Sequence, residues 1–135
     1  MLNIANPLAL SDAYANRKNF LDVSDPGLRR QSRHAIEIAV QHVFGVDHSA
    51  LAHVNRGIAR HAMARQVAMY LAHVACGLTL TDAGLLFNRD RTTVAHACVL
   101  VEDRRDDAVF DRALDLLTWA IPAMVMRPNV FANTA

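Results

Sequence analysis

Cysteine is scarce in this chain, no apolar run is long, and neither sign of charge dominates. The two cysteines, Cys76 and Cys98, sit inside apolar helical patterns and read as small buried hydrophobes rather than a disulfide or a metal pair. Hydrophobic residues make up 53% of the 135 positions, yet Arg, His or Asp interrupts them so often that no stretch approaches the ~18 residues of a membrane span. A membrane is therefore not an expected partner. The opening MLNIANPLALSDAYANRKNF lacks a basic region followed by a continuous apolar one, which argues against a secretory signal and for a soluble, cytoplasmic protein.

Catalytic and metal chemistry find no foothold. There is no G-x-x-x-x-G-K-[ST] phosphate loop, which excludes an ATP-driven machine within this length. The seven histidines include His73-x-x-Cys76, but no second ligand pair with zinc-like spacing completes a site. Asp106-Asp107 reads as a pair of helix-start charges. No enzyme, cofactor or metal is expected.

What is present is an uneven distribution of charge. The net charge is +1, but ten arginines against six acids leave +4 between residues 28 and 105, with -1 before and -2 after. Arginine forks suit bidentate contact with phosphate. A solvated, arginine-rich surface gives the same count, so charge alone does not decide.

The apolar pattern is helical throughout, with no repeat and no convincing strand. Ser24-Asp25-Pro26 starts a helix whose inner face is Ile36, Ala39, Val40, Val43 and Phe44 and whose end is Gly45. Asp47 or Ser49 caps a short helix through Leu51 and Val54, and VNRGIARH is a polar break. A longer helix runs from about Ala62 to Cys76, burying Met63, Val67, Tyr70, Leu71 and Val74, with Gly77 as its stop. Thr79 or Thr81 restarts a brief helix through Ala83, Leu86 and Phe87, and Asn88-Arg89 makes a turn. Asp90 caps the next helix, with Val94, Ala97, Cys98 and Val101 inward. Asp106 and Asp107 open a last one through Phe110, Leu114, Leu117 and Ile121, ended by Pro122. The expectation is an all-α, compact bundle of about six helices. Residues 1–27 form an N-terminal arm, 28–121 the domain and 122–135 a tail. Tyr14, Phe20 and Leu21 are the arm's candidates for docking on the core. Trp119, Met124, Val125 and Met126 fit either a dimer surface or, preferentially, the core.

A short helix, a tight turn and a longer helix make a helix-turn-helix. In that geometry the second helix enters the major groove by its N-terminal end, which explains why FNRDRTTVAHA opens polar and turns apolar later. Asp90 can accept from a cytosine amino group, Arg91 can donate to guanine, and Thr92 offers a hydroxyl and a methyl. Thr93 and the free first-turn amides suit a phosphate. By pattern alone simple N-capping, which would occur in any helix, is the commoner explanation of Asp-x-Thr.

Residue detail goes further. RQVAMYLAHVACGLTLTDAGLLFNRDRTTVAHA resembles the C-terminal DNA-binding domain of the bacterial replication initiator DnaA, whose members carry RQ-x-AM-x-L, then SL-x-x-IG-x-x-F, then GGRDHTTV-x-HA. The positions shared are Arg65, Gln66, Ala68, Met69, Leu71, Leu80, Gly84, Phe87, Arg89, Asp90, Thr92, Thr93, Val94, His96 and Ala97. The likeness runs more weakly upstream, to about residue 28. It implies base contacts from Asp90 and Thr92, with Arg91 beside them, and backbone contacts from Arg65, Gln66, Arg89, Thr93 and His96. It also implies a minor-groove loop at NRGIARH with Arg56 and Arg60.

Three departures accompany the match. Arg91 stands where the family has histidine, a longer donor suited to a different base or a phosphate. A single Asn88 replaces a double glycine, shortening the turn by one residue. Gly57 falls near the family's minor-groove arginine, leaving Arg56 or Arg60 to substitute. The reading is a sequence-specific, nucleoid-associated protein that binds double-stranded DNA and regulates replication initiation or transcription. The alternative is an interaction module that mimics the initiator's domain and engages the initiator, its regulators or its partners. A homodimer stays open.

Overall fold

A computed structural model describes residues 19–45 and 54–128, the latter with side chains from residue 59 onward. Five helices make up the described bundle: α1 (Pro26–Phe44), α2 (Val54–Val74), α3 (Leu80–Phe87), α4 (Arg91–Arg104) and α5 (Ala108–Val125). Two-residue strands β1 (Asn19–Phe20) and β2 (Arg127–Pro128) pair antiparallel, with Asn19 opposite Pro128 and Phe20 opposite Arg127. No described helix is long and apolar enough to cross a membrane.

Local signals set most boundaries. The Asp25 carboxylate accepts from the Gly27 amide at 2.8 Å, and Pro26, which lacks an N–H to leave unsatisfied, occupies the first turn. Gly45, at φ 65°, closes α1 in the left-handed conformation that glycine adopts without a Cβ clash. Asp107 caps α5 by accepting from the Val109 and Phe110 amides.

The core forms where five apolar faces converge. Ile36 and Val40 come from α1, Ala83 and Leu86 from α3, Val94, Ala97 and Val101 from α4, and Leu114, Leu117 and Ile121 from α5. α2 is the central helix, buried without interruption from Val67 to Ala72. Leu21, just past β1, is itself part of this core, while Phe20 is half-buried. Val43 and Val74 are exposed, contrary to the periodicity. At Val74 the helix ends, and the chain turns to bury Cys76 and Leu78 instead, with their amides bonded back to Leu71 and Ala72. His73 Nδ1 lies 2.7 Å from the Leu78 carbonyl and bridges the same turn.

Four sequence expectations are corrected. VNRGIARH is helix rather than a break: α2 begins at Val54 and carries Gly57 inside it. One interior glycine costs about 1 kcal/mol, and the buried run that follows outweighs it. The predicted cap at Asp47 or Ser49, Leu51 and Tyr14 lie outside the described residues. Pro122 sits inside α5 instead of ending it, because Ile121 is buried and Val125 and Met126 pack on the core beyond it, with the Met126 amide bonded to the Pro122 carbonyl. Trp119 and Met124 are not core: both stand exposed on α5. The β1–β2 pair is too short and too distant in sequence to leave a periodic trace.

One polar cluster ties three helices together. Arg105, just past α4, directs Nε to Asp111 at 2.7 Å, Nη2 to Asp115 at 2.6 Å and Nη1 to the Tyr70 hydroxyl at 2.9 Å. Tyr70, on α2, donates in turn to Glu102 at 2.5 Å. Burial, then the Glu102 hydrogen bond, pushes the Tyr70 phenol up to about 12. An unfolded tyrosine ionises near pH ~10, so the unfolded chain sheds this proton first and stability should fall as pH rises from 10 through 12. The Cys98 thiol, raised to about 11 by burial and by Glu102, acts in the same direction from lower pH. Urea midpoints at pH 9 and pH 11 test this: Tyr70→Phe should narrow the gap between them. An unchanged gap would mean the phenol ionises freely in the fold.

Candidate nucleic-acid interface

The segment of interest begins where Thr79 caps α3, its hydroxyl accepting from the Asp82 amide at 3.0 Å. After Phe87 the chain reverses at Asn88, which takes φ 57° and ψ 49°. Asparagine tolerates this left-handed region better than most side chains. The Arg89 amide then reaches back to the Gly84 carbonyl at 2.8 Å, the long bond of a Schellman closure. Gly84 is buried under this turn, and a Cβ built on it would collide with the Arg89 carbonyl oxygen. The predicted Asn88-Arg89 turn is therefore observed, with a glycine beneath it.

Asp90 occupies the N-cap position of α4 in extended conformation, yet its carboxylate makes no capping bond. The capping role foreseen for it is thus positional only. Asn88, Arg89, Asp90, Arg91, Thr92 and Thr93 are all exposed, and the first inward residue is Val94, which is fully buried. An open hollow of about 580 Å³ lies between α3 and the start of α4, lined in part by Thr81, Gly84, Asn88, Arg89, Arg91 and Thr93. Six polar or charged side chains, those of Thr81, Asn88, Arg89, Asp90, Arg91 and Thr93, meet an uncapped helix N-terminus on a concave surface. Such a terminus carries partial positive charge and unpaired amides, which suit an anion.

The helix then presents a consistent outer face. With Val94, Ala97 and Val101 inward, the 100° step of an α-helix places Thr92, Ala95, His96 and Val99 outward. His96 is exposed. Val99, 58% exposed, and the half-buried Ala95 were not singled out from sequence. Apolar residues on such an outer helix face are the chemistry that would suit a thymine methyl, and the signal available was their spacing from Thr92.

Arg65 and Gln66 lie on α2, which packs along α4; Arg65 is exposed and Gln66 half-buried. Arg60 is exposed near the start of α2, whereas the side chain of Arg56 falls outside those described. The basic segment expected as a loop is thus a helical turn, because α2 continues through it. Among the described residues, Arg60, Arg65, Arg89 and Arg91 engage no carboxylate, so their charges stand uncompensated by direct pairing.

Comparison with known proteins agrees with this geometry. Residues 34–101 match the family described as the bacterial DnaA protein helix-turn-helix. The chain is also similar to the chromosomal replication initiator protein DnaA of Lachnoclostridium phytofermentans, 45% identical over 58 residues. That match takes in 42% of this chain and 13% of the initiator, so the chain spans only a small part of its relative. No solved structure matches.

Proposed function

The chain belongs to the family of bacterial DnaA helix-turn-helix domains, and we propose that it is a sequence-specific double-stranded DNA-binding protein that regulates replication initiation or transcription. The observation that carries this reading is the uncapped, exposed start of α4 over the hollow at the turn. In the proposal Asp90, Arg91 and Thr92 meet base edges, while Arg89 and Thr93 take phosphates at the helix N-terminus. Arg65, Gln66 and His96 hold the backbone and set the register of α4 in the groove. Arg56 and Arg60 are assigned to the minor groove, which a long guanidinium side chain can enter while its helix stays outside.

Replacement of the family's histidine by Arg91 supports a changed site preference, since a guanidinium favours guanine. Selection of bound duplexes from a random pool, followed by anisotropy titration at stepped salt, tests the whole reading. The expected result is one enriched motif with affinity that falls steeply as salt rises. No binding at low salt, where phosphate attraction is strongest, would sink it.

The net charge of +1 favours a second reading, in which this surface engages the initiator, its regulators or its partners. Pull-downs with and without nuclease separate the two. Partners lost on nuclease treatment support the DNA reading, and partners retained support the second.

A further inference from the structure

α5 carries an apolar face that none of the described residues covers. Leu114, Leu117 and Ile121 point into the core at 0–2% exposure, whereas Val109 is 74% exposed, Leu116 56% and Trp119 77%. At 100° per residue, Val109, Arg112, Leu116, Trp119 and Ala123 fall within about 80° of one another, with Ala113 and Ala120 flanking one side. An amphipathic helix that packs by one face should be polar on the other, and α5 is not. The acids at the edge, Asp111 and Asp115, are both held by Arg105, which leaves Arg112 as the uncommitted charge of the face.

We infer that this face is a self-association surface, on which α5 of a second copy of this chain packs antiparallel about a twofold axis through Leu116. The row is complementary to its own reverse. With Leu116 opposite Leu116 of the second copy, Val109 falls opposite Ala123 and Ala113 beside Ala120, so small residues let the helices approach. On the other side Arg112 falls beside the second copy's Trp119. Arginine over an indole face is a favourable pair that strengthens when desolvated, and each copy supplies one, as an isologous interface requires. The contact runs about 21 Å along the helix. It buries on the order of 1,000 Å² in total, at the lower bound for specific association. An interface of this size is weak, so dimerisation is expected to depend on concentration.

The test uses no DNA, so it succeeds or fails independently of the DNA-binding reading. Sedimentation of the full chain between about 1 and 200 µM should give a reversible monomer–dimer equilibrium, and Leu116→Glu, at an exposed position, should abolish it while leaving the circular dichroism spectrum unchanged. Trp119, the sole tryptophan, should shift its emission to shorter wavelength as the dimer forms. Leu116→Cys should crosslink to itself under mild oxidation beyond the level of the wild-type chain, because the axis places it on its own copy. A monomer at every concentration overturns the inference, and blue-shifted emission independent of concentration assigns the cover to the chain's own termini instead. A dimer that Leu116→Cys fails to trap overturns the register and with it the surface.

Discussion

Gly84→Ala is expected to lower stability by about 1 to 3 kcal/mol, the cost of adding a methyl to a packed site, and to remove DNA binding along with it. The added carbon would strike the Arg89 carbonyl oxygen, and the Arg91 amide nitrogen stands only 3.5 Å away. Both are backbone, so no side chain can swing aside. Relief requires α3 and the start of α4 to separate, which breaks the bond from the Arg89 amide to the Gly84 carbonyl and pulls Val94 from the core. The turn is also where α4 acquires its direction, so a small displacement there is carried along the whole reading face. Thermal melts should show a fall of roughly 3 to 9 °C for a chain of this size, and anisotropy should show lost affinity. Two neighbours serve as controls. Leu85→Ala, at a half-exposed position on the same helix, should melt near wild type. Asn88→Gly should hold or raise stability, since glycine meets φ 57° without a Cβ. If Gly84→Ala melts and binds like the parent, the turn is looser than its geometry and the account of α4's placement fails.

The contrast between Gly84 and Trp119 shows what the sequence could carry. Helix ends were legible because their determinants are contiguous: Asp25-Pro26, Gly45, Thr79, Asn88 and Asp107 each act within a few residues of themselves. Inner faces were legible as well, since burial of Val67, Leu71, Val94, Ala97, Leu114 and Leu117 repeats at helical spacing. What failed depended on competition or on distance. Gly57 and Pro122 are breakers by local chemistry, and only the packing of the flanking residues decides that the helix continues. Trp119 lies outside because no other described element reaches that side of α5. The Arg105 cluster draws on positions 70, 102, 111 and 115, which no local window unites. The start of the candidate site was visible because Asp90, Arg91, Thr92 and Thr93 are consecutive. The relation of that turn to Arg65 required α2 to lie along α4. Gly84 was visible as a shared residue, but its reason, the carbonyl above it, was not.

Asp90→Ala and Thr92→Ala are expected to erase site preference without touching the fold, and Arg65→Ala to weaken binding to every sequence alike. An N-cap aspartate normally contributes about 1 kcal/mol through its bond to a first-turn amide. Asp90 makes no such bond and is exposed, so its removal should leave the melting temperature within a degree or two of the parent. Under the proposed function its value lies in the base it meets. Loss of one base contact costs about 1 to 3 kcal/mol of discrimination, or roughly 5- to 150-fold between the selected site and a scrambled duplex. Thr92, exposed at the centre of the outer face, should behave the same way. Arg65 is exposed and unpaired on α2, where a phosphate contact carries no sequence information. Arg65→Ala should therefore lower affinity for selected and scrambled duplexes by the same factor and reduce the slope of log K against log salt by about 1. The two classes of variant thus move different observables, the ratio of affinities in one case and the salt slope in the other. Should Asp90→Ala instead cost about 1 kcal/mol in the melt while the selected motif survives, Asp90 is a cap after all, and base reading passes to Arg91 and Thr92 alone.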